Sequence, residues 1–261
     1  MAKTTAAKKP KGKRRPRSPV GSPLDPASLH AMGALKAIPP PPPGFDVSGA
    51  WTQTWRIWTC YGYRESGNMN AGFLRIERVA EGAPFTMKVA QELVTPDRVV
   101  HRIDATMQCE HNRLSTPVGW TLSSRFRGGG HKPPPETATR EKVTVKARTL
   151  EIEAGGDTLK RPISRQWTSD WSLFEAIQRL PFRSDMRLSF DVLEGLSLLK
   201  QGHTLRYKGR QEAELGGEAV TLHRFHQVGR GVLPYEYWLD RHHRLVLVVT
   251  GYRTYILGGR S

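Results

Sequence analysis

From residue 99 the chain alternates. Val99, His101, Ile103, Ala105, Met107 and Cys109 form one nearly apolar series, while Val100, Arg102, Asp104, Thr106, Gln108 and Glu110 form a mostly polar one. Successive residues of a strand point to opposite faces, so the pattern predicts an antiparallel strand with one face on a core and the other in water. Phe85, Met87 and Val89 stand in the same way against Thr86, Lys88 and Ala90, and Val118, Trp120, Leu122 and Phe126 against Thr121, Ser123 and Arg125. Trp51, Trp55 and Ile57 predict the first strand, Leu74 and Ile76 the second, and Val143, Val145, Leu150 and Ile152 a continuation after a loop. Further strands are expected at Leu188–Val192, His203–Tyr207 and Ala219–Val228. The stretch Pro234–Leu257 holds two runs rich in β-branched and aromatic residues around a polar break, which predicts a terminal hairpin.

One segment has a different period. Between Ser169 and Leu180, the residues Leu173, Ala176, Ile177 and Leu180 follow the i, i+3, i+4, i+7 spacing of a helix with one apolar stripe. Ser169 or Asp170 can cap its start, and Pro181 forces its stop. About ten meandering strands and one helix predict a mainly β protein, a curled antiparallel sheet or half-open barrel with one packed α-helix. Such a sheet has a concave face. No internal repeat points to a propeller or solenoid.

Composition divides the chain. Residues 1–44 hold ten of the nineteen prolines, nine of the forty Lys and Arg residues and one acid, Asp25. They carry half of the net charge of +16. So little apolar surface cannot offset the entropy of ordering, so a disordered, basic, proline-rich arm is expected there, with Pro39–Pro43 a polyproline spacer. Residues 45–261 are expected to form a single β domain. The arm suits nonspecific contact with polyanions, through release of their counterions. The Ala31–Ile38 run is interrupted by Lys36 and followed by prolines, so it makes no export signal, and no apolar segment follows Arg14-Arg15. No run is long enough to cross a bilayer. A soluble, cytoplasmic protein is the expectation. Cys60 and Cys109 are too few for a disulfide scaffold or a zinc site; buried thiols are expected, with a single bridge as the alternative.

The segments Trp171-Ser-Leu-Phe-Glu-Ala-Ile-Gln-Arg-Leu-Pro-Phe182, the strand pair near Leu205 and Val220, and the hairpin with Tyr237-Trp-Leu-Asp240 set a layout over residues 167–257. This layout resembles a family of uncharacterised bacterial β-rich domains that are similar to the lipoprotein carriers of the periplasm. The resemblance implies a half-open antiparallel barrel with a helix across its concave face, and a role in holding acyl chains without chemistry. It also implies a periplasmic setting.

Candidate chemistry is sparse. In His223-Arg-Phe-His226 the two imidazoles fall on opposite faces of a strand and share no ion; His242-His243 falls in a turn, and His101 reads as a core histidine. Gly128-Gly-Gly-His-Lys132 lacks phosphate-loop spacing and runs into Pro133–Pro135, which predicts a solvent loop. No nucleophile elbow occurs. Asp191 with Glu194, and Glu236 with Asp240, are nameable carboxylate pairs, and His101, Glu92 and Asp97 are the nearest titratable candidates for a cleft. Neither metal, cofactor nor catalytic residue is expected. The tryptophans are more suggestive: Trp51, Trp55, Trp120 and Trp171, with Phe174, are the candidate lining of the concave face for an apolar ligand or lipid. The expected role is therefore non-enzymatic binding. The alternatives are a hydrolase with an unrecognised site and a scaffold whose basic arm binds polyanions.

Overall fold

The structure, a computed structural model, describes residues 38–60, 68–79, 82–95, 98–128, 137–215, 217–251 and 253–258. Most of the expected arm, the Gly129–Pro135 part of the glycine loop, Asp97 and the side chain of Cys60 lie outside the described residues. The strands are β1 (Trp51–Cys60), β2 (Asn68–Val79), β3 (Phe85–Val94), β4 (Val100–Cys109), β5 (Pro117–Arg127), β6 (Thr137–Lys146), β7 (Thr149–Ala154) and β8 (Asp157–Pro162). After them come β9 (Trp167–Ser169) and α1 (Asp170–Ala176), the latter prolonged by a 3-10 turn over Ile177–Arg179. The chain ends with β10 (Arg187–Glu194), β11 (Leu198–Leu215), β12 (Glu218–Val228), β13 (Tyr235–Leu239), β14 (Leu245–Val249) and β15 (Arg253–Leu257). No helix among the described residues is long and apolar enough to cross a membrane.

The fold is mainly β, as the alternation predicts. All fifteen strands form one open sheet in the order β8-β7-β6-β5-β4-β3-β2-β1-β15-β14-β13-β12-β11-β10-β9. The first and last strands meet in its middle, with Trp55 opposite Leu257 and Thr59 opposite Arg253. The two edges, β8 and β9, are consecutive in sequence. Laid flat, the sheet would be about 65 Å wide, whereas the link from Pro162 to Trp167 reaches at most about 17 Å. The sheet must therefore curl until its edges approach. Across the gap, Trp120 of β5 and Trp167 of β9 lie 6.3 Å apart, and Thr116 Oγ1 donates to the Trp167 carbonyl at 3.0 Å.

Three expectations need correction. The strands number fifteen rather than about ten, because β8 is exposed along its whole length and β9 is only three residues long, so neither shows alternation. β9 also pairs with β10 in parallel, the exception in an otherwise antiparallel sheet. The terminal hairpin is three strands, since Thr250 and Gly251 break the second run and Thr250 N donates to the Arg253 carbonyl at 2.8 Å. Finally, α1 is buried all round rather than along one stripe: Trp171 through Ala176 are all buried. The cause is the curl, which wraps the inner face around the helix. Phe174 meets Trp55 and Tyr255 edge-on, each at 5.2 Å, while Cys109 on the far arm lies 3.9 Å from Ser172. Cys109 is a free, buried thiol, and burial pushes it up to about 12.

Burying the helix completely also buries Glu175. Its carboxylate takes Arg78 Nε at 2.9 Å and Arg179 Nε at 2.8 Å, and accepts a hydrogen bond from Ser115 Oγ. Arg78, 1% exposed, reaches on to the carbonyls of Ser48 and Gly49 at 2.5 and 2.7 Å. One carboxylate thus joins β2, the β4–β5 turn and the segment before β1. Removing its charge strands two guanidinium groups in the interior, so Glu175→Gln is expected to lose about 3–5 kcal/mol of stability in urea unfolding. A loss below 1 kcal/mol, the range of an exposed pair, would show the cluster to be dispensable. At the bulge where β1 and β2 change register beyond Ile57, Gly72 has φ +133 and an added Cβ would overlap the Glu92 carbonyl oxygen of β3. Gly72→Ala is expected to cost about 2–4 kcal/mol in the same assay.

Candidate functional site

The helix does not fill the concave face to its rim. Beside its first turn an opening of about 700 Å³ remains, walled by both arms of the sheet. One wall is the inner face of β3, β4 and β5. Register puts Leu93 opposite His101, and Gln91 opposite Ile103, which in turn faces Ser124. The floor is Asp170 and Trp171 of α1, and the other wall is Tyr235, Arg253 and Tyr255 with the β10–β11 turn.

That turn is tight. Gly195 and Leu196 both have positive φ, and Ser197 N donates to the Glu194 carbonyl at 3.1 Å, as in a type I′ hairpin turn. Asp170 anchors it: Oδ1 accepts from Gly195 N at 3.1 Å and from Trp171 N at 3.0 Å. Ser169, not Asp170, caps the helix, its Oγ accepting from Ser172 N at 2.9 Å. Asp170 is therefore released from the capping role and holds the turn against the helix.

The electrostatics of the opening are those of a poorly hydrated place. Burial raises the Asp170 carboxyl to about 7; the backbone hydrogen bond from Gly195 works against the rise, and the Glu194 charge adds to it. Burial lowers the His101 imidazole, with the charge of Arg253 adding to the effect. His101 Nε2 is 2.9 Å from Ser124 Oγ, and its ring is stacked on Phe126 at 4.0 Å. Burial also raises the phenols of Tyr235 and Tyr255, which stay protonated. Glu194 is paired with Lys200 at 2.5 Å. Near neutral pH the site offers a neutral imidazole, phenols, and a carboxyl able to give or take a proton, set among Trp171, Leu93, Ile103 and Leu122.

Of the five aromatic residues expected to line the concave face, Trp171 borders this opening. Trp55 is buried with its Nε1 donating to the Leu245 carbonyl at 2.7 Å, and Trp51 donates to the Val47 carbonyl at 3.1 Å. Phe174 is packed between Trp55 and Tyr255. Trp120 is also buried, and its Nε1 donates to Glu141, which reaches the rim. Among the titratable candidates, His101 lines the opening, whereas Glu92 lies in register with Arg102 on the outer face. Asp191 accepts from Gly202 N at 2.8 Å and Asp240 grips Arg244 at 2.6 Å. Glu236 is held by Arg224 and His226, each at 2.6 Å. His223 points the other way from His226, with its Nδ1 2.8 Å from the Tyr207 hydroxyl and its ring stacked on Phe182. Asp170, Tyr235, Tyr255 and Arg253 went unsuspected. The one sequence signal was an acid immediately after a helix-capping serine.

No protein-family model matches the chain, and no curated protein matches it. Among solved structures it is similar to the crystal structure of a beta-barrel-like protein of domain of unknown function DUF1849 from Brucella abortus, with a TM-score of 0.50 and 9% sequence identity, covering 80% of this chain and 96% of that one. The likeness is one of fold, to an uncharacterised bacterial β-rich domain.

The titrating groups set opposite slopes of stability with pH. His101, His203, His223 and His243 are all lowered by burial, so their contribution is complete above the usual histidine value of 6.5 and is lost as pH falls below it. Asp170 is raised, so its contribution is complete below 3.8 and is lost as pH rises towards about 7. Asp170→Asn keeps an acceptor for Gly195 and Trp171 but carries no charge. Its stability in urea unfolding relative to the parent protein is expected to climb between pH 4 and 7 and then level, reaching about 1–3 kcal/mol in its favour at pH 8. A flat difference across that range would mean that Asp170 titrates normally.

Proposed function

We propose that the protein is a binding domain whose opening beside α1 takes a small amphipathic ligand, its apolar part against Trp171, Leu93, Ile103 and Leu122 and its polar end towards His101, Asp170 and Arg253. The observation that carries this reading is the opening itself. About 700 Å³ is the size of a pocket for a drug-sized molecule, and its lining sets the apolar side chains of Leu93, Ile103, Leu122 and Trp171 beside an at least equal share of polar ones, as an amphipathic ligand requires. The resemblance to half-open barrels that hold acyl chains supports a lipid-like ligand, with one difference in placement. The helix occupies the middle of the concave face, so the ligand sits at the rim and not along the whole trough.

An enzymatic reading has one observation in its favour. A carboxyl near 7 facing a neutral imidazole across a partly dry opening is suited to general acid–base work. Binding and chemistry separate at Asp170: Asp170→Asn keeps the shape of the opening, so a binding protein retains its ligand and an enzyme loses turnover.

The test titrates the full-length protein with a fluorescent long-chain fatty acid. Saturable one-to-one binding is expected. Leu93 is half-buried at the rim, and Leu93→Trp fills the opening at little cost to folding. It is expected to weaken binding by about tenfold or more, equivalent to roughly 1.4 kcal/mol, with Tm unchanged. Equal binding by the variant, or none by the parent, would overturn the reading.

A further inference from the structure

Neighbouring strands from β1 to β5 and from β10 to β15 alternate in direction, so β1, β3, β5, β10, β12 and β14 all finish at one end of the curled sheet. The opening beside α1 lies at that end, since the β10–β11 turn and Thr250 of the β14–β15 turn border it. Exposed apolar surface gathers there too. Among the described residues the large hydrophobic side chains left exposed are Val94, Phe126, Leu159, Leu198, Val228 and Leu233. Val94 ends β3, Phe126 is next to last in β5, Leu198 starts β11, Val228 ends β12 and Leu233 stands on the β12–β13 turn. Leu159, on edge strand β8, is the exception. The turns at the other end, such as 110–116 and 240–244, carry no exposed large hydrophobic residue.

A single exposed apolar side chain is ordinary on a protein surface. Five, from separate segments of the chain, on one rim make a shared face. Contacts tie them to the mouth of the opening. Phe126 is stacked on His101, Leu198 borders the opening itself, and Leu233 lies so close to Gly251 that an added Cβ there would overlap its Cδ1. Leu198 is nevertheless 55% exposed and Leu233 45%, so neither is spent on the core.

The same rim is basic. Arg98 on the β3–β4 turn, Arg127 at the end of β5, Arg230 on the β12–β13 turn and Arg253 at the start of β15 are all exposed. None of the four is in an ion pair among the described residues. The acids near them are engaged elsewhere: Glu92 stands opposite Arg102, Glu194 is paired with Lys200, and Asp170 holds the β10–β11 turn. Apolar side chains among cations that lack a carboxylate suit the interface of an anionic bilayer, where the former enter the acyl boundary and guanidinium groups meet phosphates. A nucleic acid would meet the cations but leave the apolar side chains against its charged backbone. We propose that this rim docks on an anionic lipid bilayer, with Phe126, Leu198 and Leu233 in the acyl boundary and Arg98, Arg127, Arg230 and Arg253 at the phosphates. The docking does not depend on what the opening holds. Its mouth then faces the bilayer, so an amphipathic ligand enters without crossing bulk water; that route alone rests on the binding reading.

Flotation of the full-length protein with vesicles tests this, using phosphatidylcholine alone and phosphatidylcholine mixed with phosphatidylglycerol. Residues 1–44 are themselves basic, so the parent is compared with full-length Leu198→Ser, Leu233→Ser, which keeps the same arm and the same charge. Partition onto the mixed vesicles is expected to fall by about tenfold or more in this variant, with Tm unchanged, and partition onto phosphatidylcholine alone to be weak for both proteins. A second pair at exposed strand ends, Val94→Ser, Val228→Ser, is expected to lower partition severalfold, so the outcome does not hang on the folding of one variant. Equal partition of parent and variants would give the binding to the arm and overturn the proposal. No partition by the parent, or equal partition onto the two kinds of vesicle, would also overturn it. A dimer in sedimentation that the variants lose, without vesicle binding, would assign the rim to a second copy of the chain instead.

Discussion

The constraint on which the architecture depends is a link of four residues. Ile163–Gln166 joins the two edge strands of a fifteen-stranded sheet. A sheet of that width cannot stay flat and have neighbours in sequence at its opposite edges. The natural twist of strands supplies part of the curl, and the short link requires the rest. Because β1 and β15 pair at the centre of the sheet, the two ends of the folded chain lie side by side at its middle. The middle of the chain lies at the rims, with β8 wholly exposed.

The curl decides what becomes of the helix. A seven-residue helix is too short to persist alone, so its stability comes from what surrounds it. Here it is surrounded on every side, and its polar residues must find partners inside. Glu175 takes two arginines and a serine, Ser172 is held by Ser169, and Gln178 pairs with Gln53 through bonds of 2.9 and 3.1 Å. These bonds run from the helix to β1, β2 and the β4–β5 turn. A buried charge cluster of this kind adds little net stability over an apolar equivalent. What it does provide is a single seating for the helix in a trough of otherwise unspecific apolar contacts.

The opening follows from the same seating. The helix starts directly at the end of β9, so its first turn stands at the rim, and the β10–β11 turn must fold back onto it. Asp170 lies where those two meet. Its raised pKa is the cost of a carboxylate trapped between a helix end and a hairpin turn, only part of which two backbone N–H groups offset. Burial on this scale in a place that still opens to solvent is what distinguishes the opening from the packed core beneath it.

Much of the fold was legible in the order of residues, because alternation and helical spacing are local properties. Val99–Cys109 and Phe85–Val89 show which face is inward whatever else surrounds them, and Ser169, Leu173, Ile177 and Pro181 mark a helix from its own ends. The sequence by itself therefore determined the fold class, most strand faces and the place of the helix. Elements with no amphipathic signal, such as polar β8 and three-residue β9, exist only because a neighbouring strand accepts their hydrogen bonds. Of the site, Trp171 and His101 were legible as an aromatic and an imidazole on apolar faces. Asp170, Tyr235, Arg253 and Tyr255 were not, since each becomes part of the opening through strand pairings between residues far apart in the chain. Only the tertiary structure decided that the sheet encloses its helix, that Glu175 is an interior anchor rather than a solvent-facing acid, and where the concave face stays open. The physical reason is that closure depends on which strands are edges, and no local pattern records that.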